Sequence, residues 1–333
     1  MRTVICIEAS HQRGMGHLFR GLHLAKALRA AGGEILFAVN DDRQSLEVLR
    51  SEGFDAEVVP SYASGSDWEE GILRKHRPDW WINDRLDTAA AHAEKILASA
   101  VMLATFDDHG DGGLSAAFNV LAMDLKPSER MPNGLYGTEY IILDPAIEKC
   151  RAALPSRGNP SEILVTLGGS DTYGMTPRVL SALGGMQVPP VAGVSVGPNF
   201  NHREALNSAM VNYPGRVRIY DNPSSLVGLI AKAKIIICGG GVTLFEAAAL
   251  GVPALAIANE PHEIPIVRWF EEKGFCICLG FRENGVERRL SSALPDLLSG
   301  SDHLEQMSRT GRTLVDGRGL ERVVARIRGG RHE

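Results

Sequence analysis

Short runs of apolar and β-branched residues alternate along this chain with longer segments whose apolar residues recur every three or four positions. The run Val4-Ile5-Cys6-Ile7 reads as a buried strand, and Leu18, Leu22, Leu24, Ala25 and Leu28 then mark one face of a helix that Gly32-Gly33 ends before the next strand, 35–39. Further strands are predicted at 56–59, 80–83, 101–106 and 119–121. A Pro-, Ser-, Arg- and Gly-rich stretch at 155–161 reads as a linker, after which a second series is predicted at 163–167, 191–196, 217–220, 235–238 and 254–258. Strands alternating with helices in this way form parallel sheets. The expected fold is α/β, two doubly wound Rossmann-like domains, 1–155 and 156–333, with their sheets facing a central cleft.

Composition narrows the class. A chain of 333 residues exceeds what one core usually organises, which agrees with two domains of roughly 150 residues. Hydrophobic residues make up 44% and charged residues 23%, and no apolar run nears the roughly 18 residues of a membrane span. The N-terminus carries no secretory pattern, so the expected location is the cytoplasm. A formal net charge of −5 argues against nucleic acid as a general partner, and the basic tail 318–332 reads as a solvated final helix. The five cysteines form no C-x-x-C pair; Cys6, Cys238, Cys276 and Cys278 lie in β-like runs as small buried hydrophobes. Neither a zinc site nor a disulfide framework is indicated, and oligomeric state is left open.

Chemistry concentrates where strands pass into helices, the position at which open α/β sheets bind ligands. The first such segment contains Gly14-Met15-Gly16-His17-Leu18-Phe19-Arg20. It lacks a small residue at Phe19, the third glycine position of a dinucleotide fingerprint, so a nicotinamide cofactor is not expected. His17 falls in the first helical turn, where the positive dipole end favours an uncharged imidazole able to take a proton. Asn83-Asp84-Arg85-Leu86-Asp87 and Asp107-Asp108-His109 follow two other strands. One of Asp84, Asp107 and Asp108 is expected to orient His17 or to hold sugar hydroxyls, with capping and solvated loops as the plain alternatives.

In the second half, Gly168-Gly169-Ser170-Asp171 suits close approach of a phosphate or sugar, or simply a capped turn. Cys238-Gly239-Gly240-Gly241-Val242-Thr243 bridges a strand and a helix. Its amides, the Thr243 hydroxyl and the helix dipole would make an anion site without a metal, and the absent P-loop lysine argues against ATP hydrolysis. Glu246 lies on the same helix face as Thr243 and could accept from ribose hydroxyls; a capping box, Thr243-x-x-Glu246, has the same spacing.

Taken together with Val196-Gly197-Pro198-Asn199-Phe200, these elements resemble, in order and spacing from about residue 3 to about residue 280, the nucleotide-sugar hydrolase of pseudaminic acid biosynthesis and the related spore-coat-polysaccharide proteins. The glycine-rich turn is shared with a wider group of GT-B glycosyltransferases. The resemblance implies a GT-B fold, UDP on the C-terminal domain, a sugar presented to His17, Glu246 on the ribose, and no metal or other cofactor. It implies hydrolysis of a UDP-sugar by inverting cleavage of the anomeric C–O bond, in surface polysaccharide or nonulosonic acid biosynthesis. Alternatives are a glycosyltransferase with the same donor site, or a non-catalytic sugar-nucleotide binding protein. Hydrolase-type members often carry Tyr-x-x-Leu-Arg where this chain has Tyr140-Ile141-Ile142-Leu143-Asp144. The expected catalytic residues are His17, Asp84 and Asp107. The expected substrate contacts are Gly14, Gly16, Arg20, Asp108, Gly169, Ser170, Asp171, Gly240, Gly241, Val242, Thr243 and Glu246.

Overall fold

The computed structural model of the chain describes residues 1–8, 16–60, 67–153 and 161–330. Gly14 and most of the linker stretch at 155–161 lie outside the described residues. The chain divides into two compact units, Met1–Ile142 with Arg318–Glu333, and Leu143–Gly317.

The first unit is built on a seven-stranded sheet of β1 (Arg2–Ile7), β2 (Glu34–Val39), β3 (Asp55–Val58), β4 (Trp80–Asp84), β5 (Met102–Phe106), β6 (Phe118–Leu121) and β7 (Gly134–Tyr136), in the order β3-β2-β1-β4-β5-β6-β7. The second unit carries β8 (Glu162–Thr166), β9 (Val191–Val196), β10 (Val217–Asp221), β11 (Ile235–Gly239), β12 (Ala254–Ala258) and β13 (Cys276–Phe281), in the order β10-β9-β8-β11-β12-β13. Every described pairing is parallel. The central strands β4 and β12 are buried along their whole length, and β12 reads as a continuous apolar run, whereas the edge strands β3, β7 and β10 are only partly buried. The strand order reverses between β1 and β4 in one unit and between β8 and β11 in the other. At such reversals neighbouring loops leave the sheet in opposite directions and open a crevice at the carboxyl ends of the strands.

The helix Gly16–Ala30 follows β1 and buries Leu18, Leu22, Leu24, Ala25 and Leu28. Its close seat on the sheet comes from Gly21, where a Cβ would stand 3.3 Å from the Phe37 ring and 3.5 Å from Ile7 Cγ2. The small residue that a dinucleotide fingerprint puts at position 19 is thus supplied two places later, and Phe19 is left exposed.

Two strands are absent from the sequence reading. β7 is three half-buried residues at a sheet edge, and β13 is an edge strand broken in register opposite Ala256 and Ile257. The final helix, Gly319–Gly329, corrects the reading of a solvated tail: Val323 and Ile327, one turn apart, are fully buried among the arginines. It packs on the helix Gly16–Ala30 and on the turn Thr138–Tyr140, and Gly319 approaches Ile141 O too closely for any side chain. The division between units therefore differs from the boundary at 155/156. It falls at Ile142, and the chain returns to the first unit at Arg318.

Candidate active site

In the first unit the carboxyl ends of β1, β4 and β5 bring together four side chains. His17 is the second residue of the helix after β1, Asp84 is the last residue of β4, and Asp107 directly follows β5. His17 Nδ1 lies 2.6 Å from Asp84 Oδ1. Arg20, one turn after His17, donates from Nε to Asp84 Oδ2 at 2.7 Å, from Nη2 to Asp84 Oδ1 at 2.5 Å, and from Nη1 to Asp107 Oδ2. The guanidinium also stands over the Phe106 ring at 5.3 Å.

Burial by itself would raise the Asp84 carboxyl, but the Arg20 charge and then His17 outweigh it and hold it well below the usual carboxylate range. The same pairing outweighs desolvation at Arg20 and raises its pKa. An ionised Asp84 can only accept, so the proton of a neutral His17 sits on Nδ1 and the Nε2 lone pair is left to accept a proton.

The Asp84 and Asp107 loops are fastened from behind. Asp108 is fully buried, and its carboxylate accepts from Thr88 N at 3.0 Å, Gly110 N at 2.8 Å and Thr88 Oγ1. A Cβ on Gly110 would stand 2.5 Å from Asp87 Oδ1 and Thr88 N, so only glycine lets the two loops meet. Leu86 and Asp107 both hold left-handed backbone, at φ 71° and 48°, conformations that persist only where the surroundings over-determine them.

Arg20 bonds Asp84 and Asp107 within the cluster, and the Asp108 carboxylate joins the two loops. Gly16 begins the helix with open space beside it.

In the second unit the carboxyl ends of β8 and β11 hold the two glycine segments. Gly168 has φ 93°, and Gly197 after β9 lies so near Gly169 that a Cβ would stand 2.6 Å from Gly169 Cα. Ser170 Oγ and Thr172 Oγ1 are 3.1 Å apart. The Asp171 carboxylate accepts from Met175 N at 2.9 Å and Thr176 N at 2.7 Å, opening the helix Met175–Gly184 as the capped-turn alternative expected. Burial pushes its carboxyl up, and those amides hold back part of the rise.

The helix Val242–Leu250 starts at Gly241 with no side-chain cap. No capping box forms, and the first-turn amides of Val242 and Thr243 take no side-chain cap. The Gly240 amide turns toward Glu263 Oε2, at 3.3 Å. Glu263, which opens the helix Glu263–Glu272, was not reached by the sequence reading, nor were Asn259 and Glu260 before it. The available signal was a carboxylate opening the helix after the strand beside a glycine turn.

Glu246 sits one helical turn beyond Val242, and burial, with the Asp144 charge added, pushes its carboxyl up to about 8. Asp144, where hydrolase-type chains carry arginine, accepts from Ala146 N at 2.8 Å and from Ser225 Oγ at 2.7 Å. Tyr173, in the loop after β8, donates to Glu260 Oε1 at 2.7 Å, and Arg282 after β13 lies 3.8 Å over its ring. These contacts link loops on both sides of β11, the strand that ends in the glycine turn.

Among the described residues no group of three or more His, Cys, Asp and Glu side chains is placed to hold a metal ion, and no helix is long and apolar enough to cross a membrane.

No protein-family model matches the chain. It is similar to the spore coat polysaccharide biosynthesis protein SpsG of Bacillus subtilis (strain 168), with 26% identity over 98% of this chain and 97% of that protein. It is also similar to the UDP-N-acetylglucosamine–N-acetylmuramyl-(pentapeptide) pyrophosphoryl-undecaprenol N-acetylglucosamine transferase of Burkholderia orbicola (strain MC0-3), with 25% identity over 93% of this chain and 92% of that one. Among solved structures, MurG of Acinetobacter baumannii superposes with a TM-score of 0.73 at 14% identity, covering 99% of this chain and 100% of that one. The fold is GT-B. The GT-B architecture, expected from the glycine-rich turn and its neighbours, is thus the observed one.

Proposed function

We propose that this chain is a GT-B glycosyltransferase that takes a sugar from a UDP-linked donor and passes it to an acceptor hydroxyl with inversion at the anomeric carbon. The observation that carries this reading is the pair of switch points. One offers an imidazole whose Nδ1 is held by an ionised carboxylate; the other offers an uncapped helix start after three glycines. The name of the Burkholderia relative supports a sugar-nucleotide donor and a glycan precursor as acceptor, and that of the Bacillus relative supports a role in polysaccharide biosynthesis. None of the reported relatives is named a hydrolase, which favours transfer over hydrolysis.

In the reaction, His17 Nε2 takes the proton of the acceptor hydroxyl as its oxygen attacks the anomeric carbon. The bond from that carbon to the β-phosphate oxygen breaks, and its electron pair leaves with UDP. The amides of Val242 and Thr243 and the Thr243 hydroxyl receive the growing negative charge. Preorganised donors of this kind contribute roughly 3–4 kcal/mol each to such steps in enzymes where one has been removed. Asp84 keeps the ring in register, Arg20 and Asp107 hold Asp84, and Glu246 receives ribose hydroxyls.

The test follows UDP release from a panel of UDP-sugars, with and without glycan acceptors. Release that requires an acceptor is the expected result. Release into water alone would establish a hydrolase, and tight UDP binding without turnover of any donor would establish a binding protein.

A further inference from the structure

The glycine turn after β11 is shaped by a carboxylate lying against it. Glu263 Oε2 accepts from Asn259 N at 2.7 Å, from Gly240 N at 3.3 Å and from Glu260 N at 3.4 Å. One oxygen thus gathers the end of β11 and the loop after β12. The packing is equally tight: a Cβ on Gly240 would stand 2.7 Å from Glu263 Cβ and 2.8 Å from Val267 Cγ2. Asn259 completes the corner. Its Nδ2 lies 3.0 Å from the Cβ position of Gly239, and its buried Oδ1 has no partner among the described residues.

We propose that Glu263 is a positioning residue for the donor diphosphate: by drawing the Gly240 amide onto its carboxylate, it fixes the turn so that the next amides, those of Val242 and Thr243, converge on the ligand. This rests on the reading of the turn as the diphosphate site. Position, not charge, is what Glu263 supplies. A negative group beside a diphosphate is unfavourable in Coulomb terms, and three amides on one oxygen offset that charge. The two side chains that separate position from charge are alanine and glutamine. Glu263→Ala removes the anchor. Glu263→Gln keeps an oxygen acceptor in the same place and removes the charge.

The experiment measures affinity for UDP and for uridine in the full chain, together with amide hydrogen exchange across 239–243 in the ligand-free protein. Glu263→Ala is expected to lose about tenfold in UDP affinity, the loss of one charged hydrogen-bond anchor, while uridine affinity stays within twofold. Exchange across the turn should accelerate by about tenfold or more in the same variant. Glu263→Gln should keep wild-type exchange and bind UDP as tightly as wild type or more tightly. Unchanged exchange in Glu263→Ala, or tighter UDP binding by both variants, would overturn the proposal. Equal losses for UDP and uridine would also overturn it, since they would mark general damage. If wild type binds no UDP yet the exchange pattern appears, the diphosphate assignment fails and the shaping of the turn stands. Should the alanine variant not fold, Glu263→Gln and Glu263→Asp give the same comparison, with the shorter acid predicted to lose both protection and UDP affinity.

Discussion

At the β1/β4 reversal of the first unit the chemistry rests on side chains: His17, Arg20, Asp84 and Asp107 hold one another through short ionic contacts. At the β8/β11 reversal of the second the proposed site rests on backbone, at an uncapped helix start after three glycines, with side chains such as Asp171 and Glu263 employed in shaping the loops. On the proposed reading, the same topology supports a site that depends on charge and one that depends on shape. Substitution at the first should change rate, and substitution at the second should change binding.

The largest effect is expected at His17. Replacing it by alanine should lower turnover by about 10²–10⁴-fold, the usual contribution of a general base, with UDP affinity within a few-fold of wild type. Measured kcat near wild type would remove His17 from the chemistry. Asp84→Asn comes next, because the amide no longer holds the imidazole in one tautomer and leaves Arg20 with Asp107 alone. A fall of about 10²-fold in kcat is expected, smaller than for His17 because Arg20 already neutralises Asp84. There is also a stability signature. The folded pKa of Asp84 lies below its unfolded value, so the cluster stabilises the fold above about pH 3.9 and that contribution is lost as pH falls. Thermal midpoints followed downward from pH 6 should drop less steeply in Asp84→Asn than in wild type.

On the shape side, Gly240→Ala sharpens the contrast. Its Cβ would collide with Glu263 and Val267, so about 1–3 kcal/mol of overpacking is expected to appear in chemical denaturation. UDP affinity should fall more than kcat at saturating donor. A variant that loses kcat alone would contradict a site made by shape.

How much of this was legible in the chain follows from the same contrast. Runs buried on both faces, such as Val4-Ile5-Cys6-Ile7 and Ala254–Ala258, announce themselves without reference to neighbours, and so did nearly all the strands. The glycine segments and His17 were visible because strand, glycine and helix follow one another in sequence. Partnerships between distant residues were not visible. Nothing local distinguishes Asp84, which holds His17, from Asp108, which fastens two loops, or from Asp171, which caps a helix. Glu263 meets Gly240 only because β11 and β12 are neighbours in the sheet. The buried face of the last helix was hidden by its arginines, since charge was counted and the Val323/Ile327 spacing was not.

Glu246 tests whether the second site is also sensitive to charge. Its carboxyl is raised to about 8, so the folded state binds a proton that the unfolded chain releases near pH 4.3. Stability should therefore decline as pH rises from about 4.3 to about 8 and level off beyond, and Glu246→Gln should remove that decline. Asp144→Asn, which removes the added charge and keeps the chain otherwise intact, should narrow the window from its upper end. A Glu246→Gln profile that parallels wild type would place this carboxyl in water and weaken its assignment to the ribose.

The smallest expected effect is at Tyr173. Phenylalanine there keeps the ring beneath Arg282 and removes only the hydroxyl that donates to Glu260. The bond is exposed, so its loss should cost about 0.5–1 kcal/mol, or roughly two- to fivefold in UDP affinity, with kcat unchanged. The substitution is informative because Tyr173 bears no charge and touches none of the first-unit cluster. If the loops around β11 act together as one shaped rim, even this remote change should register as weaker binding. If UDP affinity is unaffected while Gly240→Ala abolishes it, the shape that matters is confined to the turn and its Glu263 anchor.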